Sequence, residues 1–235
     1  MDPSEFQSRF AAGVGGPDLW ALRKETALHT AEALRAVGQA MASRTDLPGD
    51  DGEAVRAMGA LLQMAGELGL AASRMLSGDE HYAGAALLRQ IVEIEYLTWT
   101  FKEGHKSVTA WLTSTHEERR KVFSPKQLRT NAKGRFLFRD YQEHCEQGGH
   151  PVPRGIPLLG GQEVGHAQVM LVDLLVHSWR TWDQVRIWLR KLAKTQQIGF
   201  PRAGVEIGQR LNEWGRRDPI YALMVELQPD PAAGR

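Results

Sequence analysis

The residue types best suited to chemistry are concentrated in FLFRDYQEHCEQGGHPVPRG, residues 136–155. Asp140 and His144 stand four apart, so on a helix the carboxylate can hold the imidazole in one tautomer. Arg139 is placed to stabilise an anion, and His150 follows where the helix must end. Together they could form a small phosphodiester site, with His144 as acid or base and Arg139 on the phosphate. A second polar group interrupts the apolar run LLRQIVEIEYL: Arg89 and Glu93 share a helix face, with Tyr96 nearly in line. Inside so apolar a helix an arginine has to be paired. The expectation is therefore a packed structural pair whose loss costs roughly 3–5 kcal/mol.

A third group, His166, Asp173, His177 and Arg180, falls on one face of the longest expected helix, opposite a stripe of leucine and tryptophan. Two histidines and an aspartate can hold a metal. His166 and Asp173 are two turns apart, however, so an ion there needs another chain element to reach in. The plainer reading is a polar outer face, with no metal and no cofactor expected. His144, Cys145 and His150 make no better zinc site, since adjacent residues point to different sides and no fourth ligand follows. Residues 148–161 are glycine-rich but have no GxxxxGK[ST] pattern and no preceding strand. They read as a proline-stiffened connection anchored by His150.

Helices must position these groups. Pro17 and Asp18 open one that keeps its period to about Ser43. RTDLPGDDG, residues 44–52, reads as a loop before a second helix that stops at Ser77-Gly78-Asp79. A third spans about Glu80 to Phe101 and is apolar around most of its circumference, which makes it central. Short pieces near 108–112 and 116–123 precede Ser124-Pro125, an N-cap and first-turn proline for a helix expected to run to about Glu146. The longest helix is expected from Glu163 to Lys194, and a last amphipathic piece from Val205 to Trp214. No segment alternates as a strand would. The fold class is all-α: a flexible arm over 1–16, a bundle of about five to seven helices over 17–198, and a C-terminal helix and tail over 199–235.

Charge is distributed unevenly along this frame. Residues 1–95 carry 8 basic and 14 acidic side chains, whereas residues 96–235 carry 21 and 14, so a net charge of +1 conceals −6 followed by +7. The densest basic stretch, Arg119 to Arg139, has eight Lys or Arg and no acid. Arg119, Arg120, Lys121, Lys126, Arg129, Lys133 and Arg135 could follow a phosphate backbone, with Phe123, Phe136 and Phe138 as stacking surfaces. Equally, they could pair with the acidic half in a monomer or dimer.

The segment Arg139-Asp140-Tyr141-Gln142-Glu143-His144 resembles the signature of HEPN-domain ribonucleases, an arginine, a polar residue, then a histidine after four to six positions. The helix with Arg89 and Glu93, followed by a tyrosine-bearing helix that leads into His150-Pro151, is similar to a poorly characterised bacterial HEPN-like branch. The resemblance covers about residues 55–195. It implies an all-α bundle, often dimeric, with metal-independent RNA cleavage at the dimer interface by Arg139 and His144, oriented by Asp140, and roles in toxin or phage-defence systems. The alternative is a non-catalytic HEPN-like interaction protein in a larger defence or regulatory assembly. Whether the chain is an enzyme stays open between the two.

Composition narrows the setting. With 42% hydrophobic residues and near-zero net charge the chain is not of the disordered class. A single cysteine allows no internal disulfide and no CxxC pair. The most apolar stretch, Val169 to Val176, is interrupted by Asp173 and is far short of a membrane span. MDPSEFQSRF lacks the basic and apolar regions of a secretion signal. A cytoplasmic location is therefore expected, with RNA and a second copy or partner protein as the candidate partners.

Overall fold

A computed structural model describes residues 2–161, 164–193 and 202–226. Among them every regular element is helical: α1 (Pro3–Val14), α2 (Pro17–Ala42), α3 (Gly49–Ser77), α4 (His81–Glu103), α5 (Val108–Leu112), α6 (His116–Val122), α7 (Pro125–Asn131), α8 (Phe138–His144), α9 (Val164–Ala193), α10 (Arg202–Arg217) and α11 (Pro219–Glu226). The all-α class agrees with the sequence, but there are eleven helices among the described residues rather than five to seven. A π-helical turn, Cys145–Gly149, and 3-10 turns over Pro153–Gly161 occupy the glycine- and proline-rich connection. No described helix is long and apolar enough to cross a membrane.

The long helices α2, α3, α4 and α9 pack against one another and form the core, with Leu34, Met58, Leu62, Leu88, Ile91, Leu171 and Leu175 almost fully buried between them. Small residues set the spacing of the first pair. A Cβ on Gly38 would lie 2.3 Å from the Gln63 nitrogen, and one on Gly66 would lie 2.4 Å from the Arg35 nitrogen. The two backbones are thus in direct contact, and only glycine fits at these crossings. α10 covers α2, while α5 to α8 form a long excursion between α4 and α9.

Three expectations are corrected here. Residues 3–14 are not a flexible arm but a helix docked on α11: Arg9 donates to both carboxylate oxygens of Glu226 at 2.8 and 2.7 Å, and Phe10 and Val14 pack on the core. The single helix expected from Ser124 to Glu146 is broken. Lys133 and Gly134 have φ of 48° and 90°, a left-handed pair that ends α7, and Phe136 then plugs a second apolar cluster with Tyr96, Trp99 and Leu128 before α8 begins. The last amphipathic piece runs over the full α10 and is followed by α11. The expected ends of the longest helix at Glu163 and Lys194, the 198/199 boundary and the tail lie outside the described residues.

Among the described residues the fully buried arginine is Arg23, not Arg89. Its guanidinium donates to Asp218 at 2.7 and 2.8 Å, to the Gly13 carbonyl at 2.8 Å and to the Gln168 side-chain carbonyl. Asp218 in turn accepts from Trp214 Nε1 and from the Ile220 and Tyr221 amides, capping α11. This one hub ties α1, α2, α9, α10 and α11 together.

Candidate functional site

The geometry separates the arginine and histidine expected to react together. On α8 a spacing of five places side chains about 140° apart. Arg139 lies in solvent with 89% of its side chain exposed and donates to Glu143 at 3.2 Å, whereas His144 points into the bundle and is 5% exposed. Asp140 lies 3.9 Å from His144 Nε2, near the imidazole but beyond hydrogen-bond reach, so it does not fix the tautomer as expected. His150 anchors its loop through the main chain, accepting from Tyr82 Oη at 3.1 Å and donating to the Cys145 carbonyl at 3.0 Å; the residue itself is exposed.

Where His144 points is the informative feature. Asp173 and His177 on α9 meet it there: Asp173 Oδ2 lies 3.4 Å from His144 Nε2, and Asp173 Oδ1 lies 3.3 Å from His177 Nε2. The other ring nitrogen of His177, Nδ1, is 2.5 Å from Glu95 Oε2 on α4, with both side chains 2% exposed. The face expected to be an outer surface is therefore buried around His177, because α8 and α4 cover it; the two rings stand edge to face at 5.2 Å. His166 is exposed and two turns from Asp173, and is not part of the group. Burial opposes a charge on His177, but Asp173 and Glu95 outweigh it and push the imidazole up to about 10. Burial would raise Asp173, but the His144 and His177 rings overcome it and hold the carboxyl down at about 2. Asp140 is pushed upward, chiefly by desolvation.

The sequence elements that build this group are local. The π-helical turn directly after His144 shifts the backbone register, with the His150 amide bonded to the Cys145 carbonyl. Gly148 then presses on α4, where a Cβ would lie 2.4 Å from the Ala86 nitrogen. Arg89 and Glu93 lock the same turn. Arg89 lies 3.2 Å from Glu93 and donates to Tyr141 Oη at 3.1 Å, while Tyr141 donates to Glu93 at 2.9 Å. Desolvation, more than the neighbouring charges, drives the Tyr141 hydroxyl up to about 12. The pair thus joins α4 to α8 through Tyr141. Its side chains are 26% and 33% exposed, however, so the full penalty of an uncompensated buried charge does not apply.

Beside the imidazoles, on the next turn of α9, a cleft of about 200 Å³ opens between α9, α4 and α11. Lys102, Arg135 and Arg180 line it, with Trp179 and Tyr221, whose rings stack at 5.4 Å and 19°. Gln184 also faces it, and its buried Nε2 has no hydrogen-bond partner among the described residues. Three cations and an aromatic platform thus share the cleft with one carboxylate, Asp183, which Arg186 pairs. The sequence reading missed all but Arg135 and Arg180, and did not place those two together.

The remaining basic residues divide. Arg120, Lys126 and Lys133 are exposed on the same excursion as Arg135, while Lys121 pairs with Glu117 at 2.7 Å and Arg119 donates to the Ser114 carbonyl. Arg129 is half-buried, 4.2 Å above the Tyr141 ring and 5.4 Å from that of Phe138, and so is built into the fold. Of the three phenylalanines only Phe138, 64% exposed, offers a free face; Phe136 is buried and Phe123 half-buried. Comparison with protein-family models, curated proteins and solved structures finds no match.

Proposed function

We propose that this chain binds single-stranded RNA, in keeping with its HEPN-like hexad, through the cleft at Trp179 and Tyr221 and the basic excursion that leads into it. The observation that carries this reading is the cleft's chemistry: Lys102, Arg135 and Arg180 line it with a stacked aromatic pair, and the carboxylate there, Asp183, is paired with Arg186. Cations and N–H donors suit phosphates, and a ring platform suits a base of any identity. Binding is favoured over metal-independent cleavage by Arg139 and His144, because those side chains diverge within the chain. The test is anisotropy with a labelled mixed-sequence single strand, in EDTA, across a salt series. Trp179→Ala is expected to weaken binding by about 1–3 kcal/mol, and Arg135→Glu to weaken it and flatten the salt slope. Unchanged affinity in both variants overturns the reading, and strand cleavage lost in His144→Ala restores catalysis to it.

A second reading, an interaction protein without catalysis, is supported by an apolar groove of about 480 Å³ between α3, α4 and α5, lined by Leu61, Met64, Leu68, Ile94, Leu97 and Trp111. Met64 is 48% exposed there. If two copies meet on this groove, Met64→Glu converts a dimer to a monomer in sedimentation; a monomeric wild type argues against it.

A further inference from the structure

From the same region we infer a second property, independent of RNA: Asp140, His144 and His177, flanked by Asp173, form a three-ligand site for one divalent transition-metal ion of the zinc class. The sequence leaves an ion on α9 without a second chain element. α8 is that element, and it brings Asp140 and His144 to Asp173 and His177. The ligand atoms of Asp140, His144 and His177 all lie within 4.8 Å of one another. A tetrahedral ion with bonds of about 2.0–2.1 Å requires ligand atoms about 3.3 Å apart. Asp140 Oδ1 stands 3.9 Å from His144 Nε2, while Asp173 touches the two rings through different oxygens, Oδ1 at 3.3 Å from His177 Nε2 and Oδ2 at 3.4 Å from His144 Nε2, so that it flanks the ligands rather than joining them.

Three further observations point the same way. His144 Nε2 is buried and makes no hydrogen bond among the described residues, an orphaned ligand atom aimed into the group. Glu95 accepts from His177 Nδ1 and Nε2 faces the site, where an ion takes the place of the proton shared with Asp173, the carboxylate–histidine arrangement that orients metal ligands. Finally, Glu95, Asp140 and Asp173 place three carboxyl groups around two imidazoles, with Arg180 the cation that faces them from α9. Asp140 and Asp173 keep 44% and 20% of their side chains exposed, so an ion can enter from the α8 side.

The whole chain, stripped with EDTA and dialysed, is titrated with Zn²⁺ in a calorimeter and with Co²⁺ in a visible spectrometer. One ion per chain is expected, with the intense d–d bands of tetrahedral Co²⁺ and a raised unfolding temperature with Zn²⁺. His144→Ala is expected to abolish binding, and Glu95→Gln to weaken it about 10–100-fold. Asp140→Asn, on a partly exposed side chain that leaves the fold intact, is expected to weaken binding at least tenfold and to alter the Co²⁺ bands; it decides the matter if His144→Ala fails to fold. Absence of binding by wild type overturns the site, as does full affinity with unchanged bands in Asp140→Asn. Because RNA binding is measured in EDTA, the two readings fail separately.

Discussion

Replacing Arg23 by methionine is expected to destabilise the protein by about 3–5 kcal/mol, read as a lower urea midpoint at unchanged slope. The arginine is fully buried, and so is its partner Asp218. Removing the guanidinium leaves the Asp218 carboxylate without a cation, and also strips the Gly13 carbonyl and Gln168 of a donor. Most of the cost is that orphaned charge rather than the lost attraction. The double variant Arg23→Met/Asp218→Asn should therefore recover part of the loss, since the amide keeps an oxygen for the α11 cap while shedding the charge. A single variant within about 1 kcal/mol of wild type would contradict this account of the hub.

The second large effect comes from one methyl group. Gly66→Ala should cost about 2–3 kcal/mol, because the new Cβ meets the Arg35 nitrogen at 2.4 Å and the Ala31 carbonyl at 2.7 Å, and backbone cannot rotate away as a side chain can. The same substitution at Gly208, inside α10 with nothing within 4 Å, should instead stabilise by about 0.5–1 kcal/mol through helix propensity. Thermal unfolding of the pair separates packing from propensity. Equal shifts of the same sign would show that α2 and α3 can part.

How much was legible follows from the range over which each signal acts. α2, α3, α4 and α9 were readable to within a few residues because period, caps and stops are all local: Pro17 opens α2 and Gly104 closes α4 with a φ of 75°. The break between α7 and α8 was not. The Ala132-Lys133-Gly134 stop is short, and what holds it open is Phe136, buried against residues of α4. Asp140 with His144, and Asp173 with His177, were each visible as pairs four apart. That they form one group, and that Glu95 supports it, depends on α4, α8 and α9 meeting, which no periodicity reports. The polar outer face expected on α9 is absent around His177 for a related reason. A helix flanked on several sides has no outer face at that level, and its polar residues are then ligands and partners instead of solvated groups. Arg23 escaped notice because its partner lies 195 positions away. One signal was available and unread: Gly52, Gly59, Gly66 and Ser73 recur every seven residues along α3 and are all buried, the mark of a helix that another backbone touches.

That glycine seam also orders events in time. α2 and α3 are joined by the short segment 43–48, so their contact closes a small loop and needs little chain entropy. The Arg23–Asp218 hub closes nearly the whole described chain, and contacts of that span come late. The α2–α3 hairpin is thus the natural folding nucleus, and its mid-helix amides should exchange with solvent most slowly. Gly66→Ala then slows folding, whereas Arg23→Met leaves folding almost untouched and speeds unfolding.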